Sequence, residues 1–157
     1  MKKRILSTLL AFMICITGLI NGNVIVDAEG DTEDVDMSCV MTDDALIGYA
    51  QTQTWGVYLS DGYSIINKIS SSKAGVGGVT NAAVKCTVKV TTILERKNSS
   101  GSWERVNSWT QTNTNAFYAG ISKSVTVASG YSYRVRSHHY ASTDSATSYS
   151  SALWIGN

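Results

Sequence analysis

Five basic or protonatable side chains fall on alternate positions of two β-type stretches, and these are the residues whose types and spacing could do chemistry. Lys85 and Lys89 lie in residues 84–96, where Val84, Cys86, Val88, Val90, Thr92 and Leu94 alternate with Lys85, Thr87, Lys89, Thr91, Ile93 and Glu95. Arg134, Arg136 and His138 alternate with Tyr131, Tyr133, Val135 and Ser137. Val84, Cys86, Val88, Val90, Thr92 and Leu94 in the first stretch, and Tyr131, Tyr133, Val135 and Ser137 in the second, suit a core, and the residues between them face out. If the two strands are neighbours, Lys85, Lys89, Arg134, Arg136 and His138 share one outer face with Thr87, Thr91 and Tyr140. Such a face suits a polyanion: teichoic acid, an acidic glycan or anionic lipid headgroups. It equally suits a solvated surface whose charges keep the sheet soluble. His138 would be its pH-tuned member.

Other chemistry finds less support. His138 and His139 are adjacent, so on a strand they point to opposite faces and cannot act together. His138 reads as a surface residue and His139 as half-buried. Asp144 and nearby serines complete the residue types of a catalytic triad. Nothing marks a nucleophile, and no Gly-x-Ser-x-Gly motif occurs. Paired carboxylates for glycosidic cleavage are not evident. No catalytic residue is assigned, and the expectation is a protein without enzymatic activity or cofactor. The cysteines and histidines lack the paired spacing of a metal site, so no metal is expected. The glycine-rich residues 74–79 lack the following helix and Lys-Ser/Thr pair of a phosphate loop. Tyr58, Tyr63, Tyr140, Tyr149 and Trp154 could form a sugar-stacking platform, with Trp109 left for the core.

The elements that must position these residues are short strands. Proline is absent from the 157 residues, and Thr, Ser, Val and Tyr are plentiful, which tilts the class to β. Strands are expected at 57–59, 63–72, 84–96, 103–112, 121–127, 131–140 and 150–155. Asp61-Gly62 reads as a turn, 97–102 as a hairpin loop, 113–120 as a connector and 142–148 as a polar loop. Val106 and Trp109 are the expected core contacts of the fourth strand. Ala45 to Thr54 reads as a transition with a short helical turn near Asp43 and Asp44. Seven short strands with polar turns and no convincing helix predict an all-β, antiparallel β-sandwich over residues 55–157.

Upstream, Lys2, Lys3 and Arg4 precede an apolar run from Ile5 to Ile20, and Val26 and Ala28 flank Asp27 at the spacing a signal peptidase inspects. Residues 1–28 therefore read as a signal peptide, and the protein as secreted with no stable membrane span after cleavage. Residues 29–54 read as an acidic, mostly disordered arm. Seven acids and no Lys or Arg lie between Glu29 and Asp44, against four acids and ten Lys and Arg from Ala45 onward. The arm could dock on the basic face as a pro-segment, or serve as a solubility tail. After cleavage Cys39 and Cys86 remain. A disulfide between them and a buried Cys86 acting as a small apolar residue both stand.

Val127, Gly130, Tyr133 and Val135 are spaced like the tyrosine corner that ends a fibronectin type III or related immunoglobulin-like domain, and 94–103 resembles the central hairpin of such domains. This resemblance covers about half the chain, without the usual prolines, and implies the immunoglobulin-like sandwich but no function. Residues 84–157 also resemble an uncharacterised family of small secreted proteins from Gram-positive, especially clostridial, bacteria. The matching features are Leu94-Glu95-Arg96, Gly101-Ser102-Trp103, Ser108-Trp109 and Gly130-Tyr131-Ser132-Tyr133-Arg134-Val135. That resemblance implies no site residues. The expected role is a binding module for an anionic or glycan component of a cell surface. The alternative is a bacteriocin-like antagonist of competing bacteria. The secreted address and modest charge disfavour nucleic acid.

Overall fold

The computed structural model describes residues 35–51 and 56–157. The expected signal segment (1–28), the start of the expected arm (29–34) and residues 52–55, with Trp55, lie outside the described residues. Seven strands are present: β1 (Leu46–Tyr49), β2 (Leu59–Ser70), β3 (Lys73–Lys97), β4 (Trp103–Thr126), β5 (Tyr131–Ala141), β6 (Asp144–Tyr149) and β7 (Leu153–Ile155). All pairings are antiparallel, in the order β1-β2-β3-β5-β6, with β4 also on β3 and β7 also on β5.

One sheet, not two separate ones, contains every strand, because β3 serves both walls. It has 25 residues, and a straight strand of that length would extend about 80 Å. It bends instead, at β-bulges between Asn81 and Val88. On β4 the bend falls where Asn115 takes a left-handed conformation (φ 53°) and Asn113 Nδ2 donates to Tyr118 O at 2.9 Å. The first half of β3 pairs with β2, the second half with β5. Folding at the bulges brings β2 against β5 and β6, so the sheet nearly closes into a barrel. The remaining seam lies between β1 and β6, where Gly48 presses on the Tyr149 carbonyl.

Two apolar clusters fill the interior. One contains Ile66, Val76, Leu94, Tyr133, Val135 and Ile155. The other contains Leu59, Val88, Val90, Ala119, Ile121 and Ala141. Trp109 is only half-buried but packs against both, whereas Val106, expected in the core, is exposed. Between the clusters lies a buried polar layer of Ser64, Thr80, Thr92, Ser137, His139 and Ser148.

This layer explains two glycines that the sequence suggests are turn or loop residues. Asp61-Gly62 is no turn: it runs inside β2, with Asn81 Nδ2 donating to Asp61 Oδ1 at 2.6 Å. A Cβ on Gly62 would lie 2.5 Å from the His139 ring. Gly78, in the glycine-rich stretch, is central in β3 and paired on both sides. A Cβ there would meet Ser137 Oγ at 2.6 Å and overlap Thr92 Oγ1. The connector expected at 113–120 is part of β4, and the polar loop at 142–148 is a two-residue turn followed by β6.

Part of the expected arm is also packed. Leu46–Tyr49 forms β1 rather than a helical turn. Val40 is fully buried over Gly77 and Ile65, on the outer side of the β2–β3 wall. Asn67 Nδ2 holds the same strap through Thr42 Oγ1 at 2.9 Å. At the other end of the chain, Tyr133 Oη donates to Ala128 O at 2.8 Å.

Gly78→Ala is expected to cost about 1–3 kcal/mol, because two hydroxyls must leave their places in a closed layer. The readout is a lower urea midpoint with an unchanged m-value.

Candidate functional site

The second half of β3 and the whole of β5 are sheet neighbours, and their outward residues align in rows. Glu95 lies opposite Arg134, Ile93 opposite Arg136, Thr91 opposite His138 and Lys89 opposite Tyr140. On the far side of β5, Arg136 faces Tyr149 and His138 faces Thr147. On the far side of β3, Glu95 faces Arg105. Tyr133, Val135 and Ser137 are buried as alternation suggests, together with His139 and Ala141. Tyr131 and Val84, expected inward, are exposed because they lie at the strand start and at the bend, and Ile93, expected outward, is buried. Lys89, Arg134, Arg136 and His138 therefore share one face. Lys85 sits at the hairpin bend, where its ammonium lies 5.8 Å from the centre of the Phe117 ring.

Aromatic rings and one carboxylate set the shape of this face. The Arg134 guanidinium lies 4.3 Å from the Trp103 ring centre and 4.9 Å from that of Tyr149, a double cation–π contact. Lys89 lies 5.1 Å from the Tyr140 ring centre. Beneath them Glu95, 5% exposed, accepts from Arg134 Nε at 2.7 Å and pairs with Arg136 at 3.0 Å. Arg134 and Arg136 are thus the counter-ions of a buried carboxylate. Arg136 Nε is itself buried without a partner. Trp103 and Glu95 join the face without having been singled out in the sequence, and Tyr149, a candidate stacking residue, joins it as a partner of Arg134. Alternation marks which way each points, but only the cross-strand register shows which side chains meet.

The two histidines separate as expected, and His139 is more deeply buried than expected. His138 Nδ1 lies 3.0 Å from Thr147 Oγ1. Partial burial, then the nearby Arg136 charge, lower its pKa below the ordinary value. It is therefore neutral at pH 7 and joins the positive face only in acid. His139, 1% exposed, is held between hydroxyls: Thr80 Oγ1 at 2.9 Å from Nδ1 and Ser148 Oγ at 2.8 Å from Nε2. Thr80 gives its hydrogen to Lys89 O. Nδ1–H must then donate to Thr80, which leaves Nε2 to accept from Ser148, itself 2.6 Å from Ser64 Oγ. Burial, then the neighbouring His138, push the His139 pKa down to about 4.

Asp144 does not join either histidine. Its Oδ2 accepts from Tyr58 N at 2.7 Å and Leu59 N at 3.0 Å, and bonds from Leu59 first and Tyr58 second hold its pKa down. Cys39 and Cys86 are free thiols. Cys39 Sγ lies 3.0 Å from Ser122 Oγ, and Cys86 packs beside the second cluster. Burial, then the Asp144 charge, raise the Cys86 pKa. Among the described residues no group of three His, Cys, Asp or Glu is placed to hold a metal ion.

Two predictions follow from these contacts. Arg134→Gln is expected to lose about 1–3 kcal/mol, because the Glu95 charge keeps only one close partner. Arg136→Gln should cost less, since it also removes an unpaired buried N–H. Adding Glu95→Gln should recover most of the loss, read as a double-mutant cycle in urea.

For His139, the unfolded chain binds a proton below its ordinary value near 6.5, while the folded chain binds one only near 4. Stability should therefore fall as the pH is lowered across that window, by about 3 kcal/mol, and the His139 contribution should level off below it. Thermal melts should show the slope, His139→Gln should flatten it, and His138→Gln should leave most of it.

Comparison with the curated proteins and with the solved structures finds no match. A family model does match, over residues 24–153, which span every described strand down to the start of β7. The chain belongs to that family, DUF6147, a family of unknown function.

Proposed function

We propose that this is a secreted, non-catalytic β-protein of a Gram-positive bacterium that binds an anionic or glycan component of a cell surface. The outer face of β3, β5 and β6 would carry the binding. The observation behind this reading is the pairing of two cations of the face with rings: Lys89 on Tyr140, and Arg134 between Trp103 and Tyr149. Rings on either side hold the long side chains flat, so less rotamer freedom remains to be lost on binding. Flat rings also suit the apolar faces of sugars, while the cations suit acidic groups. Glu95 cancels part of the charge of Arg134 and Arg136, so the attraction is moderate and falls with salt. The Tyr133 corner supports a local relationship to immunoglobulin-like domains, which often present ligands on such faces or their loops.

The test must separate binding from folding. Lys85→Ser with Lys89→Ser changes only exposed cations. A second variant replaces Arg134, Arg136 and Glu95 together by Gln, which leaves no buried charge alone. Each is expected to reduce retention on purified cell walls at low salt at least tenfold, with thermal stability within a few degrees of the wild type. Wild-type retention should itself fall as salt rises. Unchanged retention in both variants would overturn the reading.

A further inference from the structure

A second feature of the surface adjoins the cation–aromatic face. It is a shallow cleft of about 220 Å³ at the end of the barrel where β3 turns into β4. Its lining includes Lys97, Asn98, Gly130, Tyr131, Ser132 and Trp154. Tyr131 is 40% and Trp154 54% exposed. Trp154 pairs across β7 and β5 with Ser132, whose small side chain leaves the indole uncovered. An exposed indole on a three-residue strand adds little to the core, so its position calls for another explanation.

Three separate devices fix the walls. Asn98 Oδ1 accepts from Ser100 N at 3.1 Å and Ser102 N at 2.9 Å, which sets the shape of the β3–β4 loop. Gly130 takes a left-handed conformation (φ 84°) that a side chain would strain, and its N–H donates to Ile155 O at 2.6 Å. That bond ties the β4–β5 turn to β7. Arg96 lies 4.6 Å from the Tyr131 ring centre and is itself paired with Glu104. The tyrosine is thereby fixed in direction while part of it stays exposed. A cleft held this way needs little ordering when a ligand arrives.

The lining chemistry narrows the ligand. Two aromatic rings offer flat faces for the C–H side of a pyranose. Asn98, Ser132 and the backbone of the turn offer partners for hydroxyl groups. Lys97 brings a positive charge, and no carboxylate lines the cleft. We propose that this cleft binds one sugar ring carrying an acidic group, of uronic-acid type, with Trp154 as the stacking platform and Lys97 as the acid's partner. The volume admits a single ring, so a chain would be gripped at one residue. Lys97 also reaches the Trp103 ring, 5.9 Å from its centre. The cleft thus stands at the end of the cation–aromatic face without depending on it.

The experiment is a titration of the full chain with a galacturonic acid oligomer, with the same oligomer methyl-esterified, and with inorganic phosphate, followed by tryptophan fluorescence and calorimetry. The wild type should bind the acid oligomer at least fivefold more tightly than the ester, and phosphate not at all. Trp154→Ala should weaken binding of both oligomers at least tenfold without lowering the melting temperature. Lys97→Gln should weaken only the acid oligomer, down to the level of the ester. Lys123→Ser, which changes an exposed lysine on β4 opposite Val76 and outside both the cleft and the β3–β5 face, should bind as the wild type does. Wild-type affinity in Trp154→Ala would overturn the proposal. So would loss of binding in Lys85→Ser, Lys89→Ser alone, which would place the sugar on the basic face instead. Equal binding of phosphate would mean that a bare anion, not a sugar, is recognised.

Discussion

Everything in this fold depends on one strand that belongs to two walls. β3 cannot run straight for 25 residues inside a domain of this size. Its bulges between Asn81 and Val88 turn it back on itself, and β4 follows along one side for the whole length. Each half then pairs on its other side with a different partner, β2 or β5. The barrel is the result of folding a single hairpin, and its interior is where the two halves of β3 look at each other. Burial in that space decides which residues are free to serve a surface.

The closeness of the walls also explains the polar layer. Where Gly62 and Gly78 face Thr80, Thr92, Ser137 and His139, backbone and hydroxyls approach too closely for larger side chains. An apolar core needs bulk at this level, and a polar one needs every group to find a partner. The chain Ser64–Ser148–His139–Thr80–Lys89 O meets that demand with a single direction of donation. A histidine with serine at one nitrogen has the outline of a catalytic pair. Here the serine and the imidazole are each 1% exposed, and the other nitrogen meets a threonine instead of a carboxylate. Geometry that reads as chemistry in a cleft reads as packing in a sealed layer.

Legibility in the sequence followed the number of faces each strand buries. Most of β5 and residues 88–91 of β3 bury one face, so the outward positions of Lys89, Arg134, Arg136 and His138 could be read directly, whereas Ile93 and Glu95 point outward and are buried all the same. β2 and the first half of β3 are covered on both faces, by the interior and by the strap from Met37 to Thr42. Ile65 and Ile66, adjacent in sequence, are both fully buried. Alternation disappears in such a strand, and close-approach glycines then imitate turns. The strap itself was hidden by its composition: Asp36, Asp43 and Asp44 suggest a solvated tail, yet Val40 between them is a core residue. The site was legible as a direction but not as a set of contacts. That Glu95 holds Arg134 and Arg136, and that Trp103 and Tyr149 enclose Arg134, depend on register across four strands, which no single stretch encodes.

The same register changes what the charge of the body means. Ten Lys and Arg against four acids suggest a generally basic surface, but Glu104 occupies Arg96, and Glu95 occupies Arg134 and Arg136. On the outer side of β3 and β5, Lys89 and Arg134 rest on rings, and Arg136 is held by Glu95. The described part of the acidic segment lies over Gly75 and Gly77, on the outer side of the β2–β3 wall, and leaves this face uncovered. A polymer recognised by charge alone would gain little from ordered rings, and a neutral sugar would gain little from the cations. A ligand that presents both a flat apolar ring and an acid uses every exposed feature of the face and of the cleft beside it.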